Sequence, residues 1–353
     1  MQLTIDGQKV EASPGQTVLD AARNAGIYIP ALCYHPKTGK AGRCRACVVE
    51  VEGQRGLKES CNLPVQEGMV VRTETAKVKE TRRLILDLYL AEGHHNCIAC
   101  QASGDCELQR MAYHLGVDRP SFFIESESTP LDESSAGIVR EADKCIHCGR
   151  CVAACQNGVV NEVLAFAYRG SHAKVVCDDD APMGTSSCVQ CGECVQVCPV
   201  GALVLAQPRQ RKIRPYETTA TKVTCPYCGV GCQIDLHTKD NKYAFARAHE
   251  GQWDKQPNKG MLCVKGRFGL DFVDSPERLR TPLIRKNGML VQSSWDEALN
   301  LVAEKIKAVK DANGPDAVGF FASAKVTNEE NYALGRFARA VIGTNNIDHC
   351  ARL

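Results

Sequence analysis

The sequence has two tryptophans, no apolar run approaching the ~18 residues of a membrane-spanning helix, and almost no excess charge of either sign. A helical membrane span is therefore not expected. Lys and Arg number 43 against 41 Asp and Glu, a net charge of +2, which offers no electrostatic footprint for nucleic acid. The opening MQLTIDGQKV lacks a basic segment followed by an apolar stretch, so it does not read as a secretory signal, and Arg82-Arg83 lies far inside the chain. What is abundant is cysteine, 21 in 353 residues. With no secretion signal these thiols are expected in a reducing cytoplasm, where regularly spaced cysteines bind metal instead of forming disulfides. Apart from Cys177 and Cys350, every cysteine belongs to a local group of three or four, with Cys263 completing the last.

Residues 1–75 read as a small β-rich module. Leu3-Thr4-Ile5 and Val10 flank Asp6-Gly7, a hairpin turn pair, and Thr17 caps a helix that Gly26 closes. Cys33, Cys44, Cys47 and Cys61 follow the spacing C-x10-C-x2-C-x13-C, on a loop made pliable by Gly39, Gly42 and Gly53. Four such thiolates suit a [2Fe–2S] cluster, although the plant-type run has four residues in the first gap where this one has ten, and zinc is the other metal they would hold. Residues 76–92 read as a helix with an apolar face through Leu84, Leu88 and Ala91. Within the same stretch, 76–120, Cys97, Cys100 and Cys106 are three thiolates that need a fourth ligand, and His94 or His95 stands next to them. His94 is preferred over His95, and a surface histidine pair beside some other ligand is the alternative.

Residues 121–139, acidic and Ser-rich, read as a linker. Residues 140–206 then hold an internal repeat, CIHCGRCVAACQ and CVQCGECVQVCP, each C-x2-C-x2-C-x3-C. This is the two-cluster ferredoxin run, in which the fourth cysteine of each half ligates the other cluster. One [4Fe–4S] cluster is thus expected on Cys145, Cys148, Cys151 and Cys198, and a second on Cys188, Cys191, Cys194 and Cys155. Pro199 follows the second run, whereas Gln156 stands in the corresponding place after the first. Cys177 is outside the register and is expected to be a non-ligand thiol. Residues 207–219, with Arg209, Arg211, Lys212, Arg214 and two prolines, read as a solvated linker.

Cys225, Cys228, Cys232 and Cys263, spaced C-x2-C-x3-C-x30-C across 220–275, do not suit a ferredoxin half. In 276–353 an amphipathic helix opens at Trp295, AVGFFAS is a short strand, NEENYALGRFARAVIG a helix closed by Gly343, and NNIDHC the start of another strand. That is the first βαβ unit of an open α/β domain.

These runs carry resemblances. The long first gap before Cys44 resembles the [2Fe–2S] domain that opens the large subunit of respiratory complex I and many iron-only hydrogenases, and the His94–Cys106 motif resembles the histidine-ligated [4Fe–4S] motif of the same families, where the histidine stands further from the first cysteine. CPYCGVGC followed by LCVKGR resembles the catalytic subunit of a cytoplasmic formate dehydrogenase of the molybdopterin oxidoreductase family. The resemblance implies an α+β multi-module chain: a β-grasp [2Fe–2S] domain, a histidine-ligated [4Fe–4S] domain, a two-[4Fe–4S] ferredoxin domain, and the incomplete start of a molybdopterin-binding α/β domain. It implies one [2Fe–2S] and four [4Fe–4S] clusters, and a molybdenum or tungsten bis(molybdopterin guanine dinucleotide) only in a full-length protein. Lys265 matches the lysine between cluster and pterin, which makes it the electron-relay residue. Formate oxidised to carbon dioxide would send electrons through the Cys225 set, the ferredoxin pair and the histidine-ligated cluster to the [2Fe–2S] centre, and on to a flavin/NAD(P)-binding subunit, a ferredoxin or a hydrogenase module.

In the resembled enzymes the metal-ligating selenocysteine or cysteine follows DHCAR-x. This sequence stops at Leu353, one residue short, so truncation at a selenocysteine UGA codon is expected, a deliberate or accidental truncation being the alternative, with the fragment inactive in formate oxidation. Cys350 is expected to be a buried structural thiol. The competing readings are an iron-only hydrogenase, a complex I or NADH-linked subunit, and a stand-alone multi-cluster electron carrier.

Overall fold

The structure is a computed structural model that describes residues 1–125 and 128–350; residues 126 and 127 of the 121–139 stretch, and 351–353 with the chain-terminal Leu353, lie outside the described residues. The chain forms two compact units, Met1–Thr219 and Ala220–Leu353.

In the first unit, β1 (Gln2–Ile5) and β2 (Gln8–Glu11) form a hairpin whose turn, Asp6-Gly7, takes positive φ at both residues. Helix α1 (Val18–Asn24) starts with a capping box between Thr17 and Asp20. Strands β3 (Val48–Val51), β4 (Lys58–Glu59) and β5 (Val70–Arg72) complete a five-stranded sheet in the order β2-β1-β5-β3-β4, with β1 and β5 parallel at its centre. This is the β-grasp arrangement. Leu3, Ile5, Val18, Leu19, Ala22, Val49 and Val71 fill the space between sheet and helix.

Helix α2 (Ala76–Glu92) buries Val78, Arg82, Leu86 and Ala91. The expected apolar face is corrected here, because Leu84 and Leu88 are exposed, at 57% and 48%. The reason is Arg82, which occupies a core position. Its guanidinium donates to the carbonyls of Thr73 (3.0 Å) and Val48 (2.9 Å), so the buried stripe follows 78, 82 and 86. Helix α3 (Glu107–Leu115) buries Leu108, Met111, Ala112 and Leu115 and is closed by left-handed Gly116.

The ferredoxin region consists of β6 (Ile138–Arg140), α4 (Arg150–Ala153), β7 (Leu164–Ala167), β8 (Lys174–Cys177), α5 (Glu193–Val197) and β9 (Leu203–Leu205), with β6 paired to β9 and β7 to β8, both antiparallel. After Cys155, where Gln156 replaces proline, the backbone continues as a wide π-turn through Gly158, and Gln156 Nε2 donates to the Leu164 carbonyl at 3.1 Å. One hydrophobic core serves three stretches of the unit: Leu32 from the β-grasp loop, Leu86 and Met111 from α2 and α3, and Ile146, Val200 and Ala202 from the ferredoxin region. Beyond β9, α6 (Ala206–Gln210) contains Pro208, and Arg209 pairs with Glu133 (3.3 Å) and Glu141 (3.6 Å).

In the second unit, β11 (Gln233–Lys239) lies between β10 (Thr219–Thr224) and β12 (Lys242–Ala248). Ile234, Tyr243, Ala246, Leu262 and Leu270 form its core, which includes Cys225. The short helix α7 (Val264–Phe268) begins directly after Cys263. A β13–β14 hairpin (Leu283–Lys286, Met289–Gln292) and helix α8 (Trp295–Asn313) precede β15 (Phe320–Ala322), α9 (Asn328–Arg336) and β16 (Ile347–His349). Strands β15 and β16 are parallel, giving the βαβ unit. Gly343, at φ 90°, closes the helical stretch.

Candidate iron–sulfur centres

The pliable loop between α1 and β3 carries Cys33, Cys44 and Cys47, Cys61 follows β4, and the four lie in two close pairs, Cys33 with Cys44 and Cys47 with Cys61. The Cys44 N–H points at Cys33 Sγ (3.5 Å). In each pair the partner's S–H holds one thiolate down, Cys33 to about 5 and Cys47 to about 7, while Cys44 and Cys61 are pushed up. All four are at most 3% exposed.

Cys97, Cys100 and Cys106 line a cavity of about 600 Å3 together with both His94 and His95. Cys106 stands at the N-cap of α3, where the Gln109 N–H approaches its Sγ at 3.5 Å. The His95 Nε2 is 3.0 Å from the Tyr89 carbonyl, and burial lowers the ring's pKa, which keeps it neutral. The backbone N–H of His94 donates to the Asp143 carbonyl at 3.1 Å. Gly201 lies so close to this set that a Cβ there would come within 2.4 Å of Cys100 Sγ.

The two ferredoxin halves fold alike because their backbones need the same unusual torsions. His147 and Gln190 take φ 51° and 53°, and Gly149 and Gly192 take 83° and 74° at the starts of α4 and α5. The His147 N–H approaches Cys145 Sγ at 3.4 Å, and the Gln190 N–H approaches Cys188 Sγ at 3.3 Å. Cys145, Cys148, Cys151 and Cys198 line one small cavity, of about 40 Å3. Cys155, Cys188, Cys191 and Cys194 line another, of about 20 Å3. The fourth cysteine of each run therefore lies with the first three of the other. Burial pushes Cys145 up to about 11 and Cys148 and Cys198 to about 12, so thiols without metal keep their protons. Cys177 is fully buried at the end of β8, 3.8 Å from the Arg140 guanidinium.

In the second unit Cys225, Cys228, Cys232 and Cys263 are near enough for their charges to interact, and Lys265 acts on Cys225 from the first turn of α7. The Cys225 N–H donates to the Cys232 carbonyl at 2.8 Å, closing the loop, and Gly266 allows backbone within 3.5 Å of Cys225 Sγ, measured from an added Cβ. Cys350, expected to be buried, is exposed: β16 ends one residue before it, and its thiol meets Ser323 Oγ at 4.0 Å and the Ala324 backbone.

Among the described residues no three His, Cys, Asp or Glu side chains are placed to grip a single ion. The donor sets fit clusters: soft thiolates in fours, or three with a histidine beside them, three of the sets around cavities of their own, and met by backbone N–H groups, which are the devices that hold and tune iron–sulfur centres. Sequence reading passed over Arg150 and Glu107, which tie the cysteine loops to one another, and Tyr89 and Gly201, which bound the Cys97 set through His95 and Cys100. The one signal for Arg150 was its place in the repeat, opposite Glu193.

Fold and thiol sets together define an iron–sulfur protein built of successive electron-transfer modules. Family models match in sequence order: a 2Fe-2S iron-sulfur cluster binding domain over 1–76, an NADH-ubiquinone oxidoreductase-G iron-sulfur binding region over 82–121, a 4Fe-4S dicluster domain over 144–202, a molybdopterin oxidoreductase Fe4S4 domain over 218–275, and molybdopterin oxidoreductase over 278–353. The last two models are those of molybdopterin oxidoreductases, and the other iron–sulfur domains stand ahead of them in the chain. A Bacillus subtilis (strain 168) protein provisionally named oxidoreductase YjgC is 35% identical over 99% of this chain and 39% of its own length. A Staphylococcus aureus (strain USA300) protein provisionally named a formate dehydrogenase is 33% identical with the same coverage. The chain thus spans about 39% of the length of these curated relatives. A solved chain of an NAD+-reducing [NiFe]-hydrogenase in the H2-reduced state is similar at 36% identity and TM-score 0.54, over 58% of this chain and 87% of that one.

Proposed function

We propose that the chain is the electron-transfer front of a cytoplasmic formate dehydrogenase catalytic subunit. The observation that carries this reading is the Cys225, Cys228, Cys232 and Cys263 set with Lys265 at its edge, in one polypeptide with four further thiol sets. The staphylococcal relatives' name supports formate as the substrate. In holoprotein the clusters supply one-electron transfer and a pterin-held molybdenum or tungsten supplies two-electron exchange with formate.

The chain's own residues hold and insulate. Cys33, Cys44, Cys47 and Cys61 hold the [2Fe–2S] cluster. Cys97, Cys100, Cys106 and His94 hold the first [4Fe–4S] cluster, with His95 tied back to Tyr89 as the other candidate. Cys145, Cys148, Cys151 and Cys198 hold the next, Cys188, Cys191, Cys194 and Cys155 another, and the Cys225 set the fifth. Lys265 keeps a cation beside Cys225 and is the residue proposed to relay electrons between cluster and pterin. Cys148 and Cys33 are close enough for their charges to interact, and Tyr89 faces both. The Glu107 N–H, next to Cys106, donates to the Pro199 carbonyl, next to Cys198, at 2.8 Å. These two links support a branched layout, in which the Cys145 set neighbours both the [2Fe–2S] and the histidine-bearing sets, over the linear order the resemblance implies. The hydrogenase neighbour supports a flavin/NAD(P)-binding subunit or a hydrogenase module as electron partner, ahead of a ferredoxin.

The test is formate-dependent reduction of a viologen dye by a longer polypeptide that continues beyond this segment, alongside the 353-residue chain. Turnover by the longer protein and none by the chain alone is expected. Dithionite-reducible clusters in both, with no formate turnover in either, would leave the multi-cluster electron carrier.

A further inference from the structure

The two halves of the ferredoxin repeat differ in charge at one equivalent position. Each half carries a left-handed glycine and then one residue before its third cysteine: Gly149-Arg150-Cys151 and Gly192-Glu193-Cys194. Both charged residues are buried, at 2% exposure. The Arg150 guanidinium donates to both Glu107 carboxylate oxygens (2.5 and 2.8 Å), to the Ala31 carbonyl (2.7 Å) and to the Val197 carbonyl (3.4 Å). Its Nε–H has no partner among the described residues. Its charge reaches Cys148 and Cys198. Glu193 lines the cavity of the Cys155, Cys188, Cys191 and Cys194 set and pairs with Lys37 at 3.2 Å.

The partners do not cancel the two charges equally. The Arg150 side chain is 1% exposed, while Glu107 is 41% exposed and its charge is screened by water. Lys37 is only 10% exposed, so it offsets more of Glu193. A cluster gains one negative charge on reduction, which a buried cation favours and a buried carboxylate opposes. Arginine cannot shed its proton to escape the role.

We propose that Arg150 and Glu193 set the potentials of the two ferredoxin clusters apart, the cluster on Cys145, Cys148, Cys151 and Cys198 being the easier to reduce. This rests on the ligand sets given above. The repeat thereby acquires a direction: electrons settle on the half that adjoins the [2Fe–2S] and histidine-bearing sets, with Arg150 the stronger determinant.

The experiment is a potentiometric titration of the iron-loaded chain followed by electron paramagnetic resonance, with each cluster's signal first assigned by its loss in Cys148→Ser or Cys191→Ser. If neither substitution removes a signal, the ligand sets fail and not the charge argument. With signals assigned, Arg150→Gln is expected to make its cluster about tenfold harder to reduce, or about 59 mV lower for a one-electron couple, while Arg150→Lys keeps the native potential. Glu193→Gln is expected to move the other cluster upward. Equal shifts in Arg150→Gln and Arg150→Lys, or no shift in either, would overturn the proposal. Should Arg150→Gln fail to load iron, Glu107→Gln replaces it: removing the screened anion raises the Cys145 cluster's potential, and the absence of a rise overturns the proposal equally.

Discussion

Cys155 and Cys198 occupy the fourth place in their own runs but line each other's cavities. Pairs of substitutions read this crossing directly. Cys198→Ser combined with Cys145→Ser is expected to cost one cluster's iron, and Cys198→Ser combined with Cys188→Ser that of two, as counted by Mössbauer spectroscopy and iron analysis. The opposite pattern would return each fourth cysteine to its own run. The histidines separate in the same way. His94→Ala is expected to abolish the signal of the Cys97 cluster while His95→Ala shifts it, because His95 Nε2 is engaged by the Tyr89 carbonyl. Loss in His95→Ala with retention in His94→Ala transfers the ligand role to His95. At this scale the cysteines were legible, since ligand spacing is fixed by cluster geometry and survives in sequence. The role of Arg150 was not: its bond to Ala31 joins positions 119 residues apart, and the repeat marks its place but not its partners.

Among the elements, the hairpin at Asp6-Gly7, the Thr17-capped helix and the βαβ unit were readable because turn, cap and alternation are local codes. The face of α2 was misread because a buried arginine satisfied by carbonyls breaks the apolar pattern. The stretch before β6 held a further surprise. Asp132 and Arg140 exchange backbone hydrogen bonds of 2.9 Å, and the Asp132 carboxylate accepts from Ser134 and from the Met183 N–H (2.9 Å). Burial pushes that carboxyl up, but these bonds and Arg140 more than reverse it, leaving its pKa below the ordinary value. The folded state therefore binds the Asp132 proton less readily than the unfolded chain does. Its stabilising contribution is present above the ordinary carboxylate pKa and disappears as pH falls through the lower folded value. Asp132→Asn is expected to cost about 1 kcal/mol at neutral pH and to flatten the acid limb of the first unit's melting temperature against pH. An unchanged acid limb in calorimetry would remove Asp132 from that role.

For the whole molecule, the ferredoxin region packs Val139, Val204 and Ala206 together and shares a second core with the β-grasp loop and α2–α3, while its eight spaced cysteines line the two cavities between its strands and short helices. Thiols pushed to about 11 or 12 must surrender protons to bind iron, so folding and loading are one equilibrium. Iron-free chain is expected to show rapid hydrogen exchange through residues 140–206 while the β-grasp sheet retains protection. A cooperative apo melt with that region protected would refute the coupling.

The shared core also fixes an order of manufacture. Cys33, Cys44 and Cys148 are 2%, 3% and 6% exposed and sit in the same packed interior as Leu86, Met111 and Val200. A polypeptide that closes this interior early shuts its sulfurs away from any delivery scaffold. Because iron-free residues 140–206 are expected to stay open, their Ile146, Cys148, Val200 and Ala202 cannot close this interior ahead of the metal, and iron delivery comes before the final packing step.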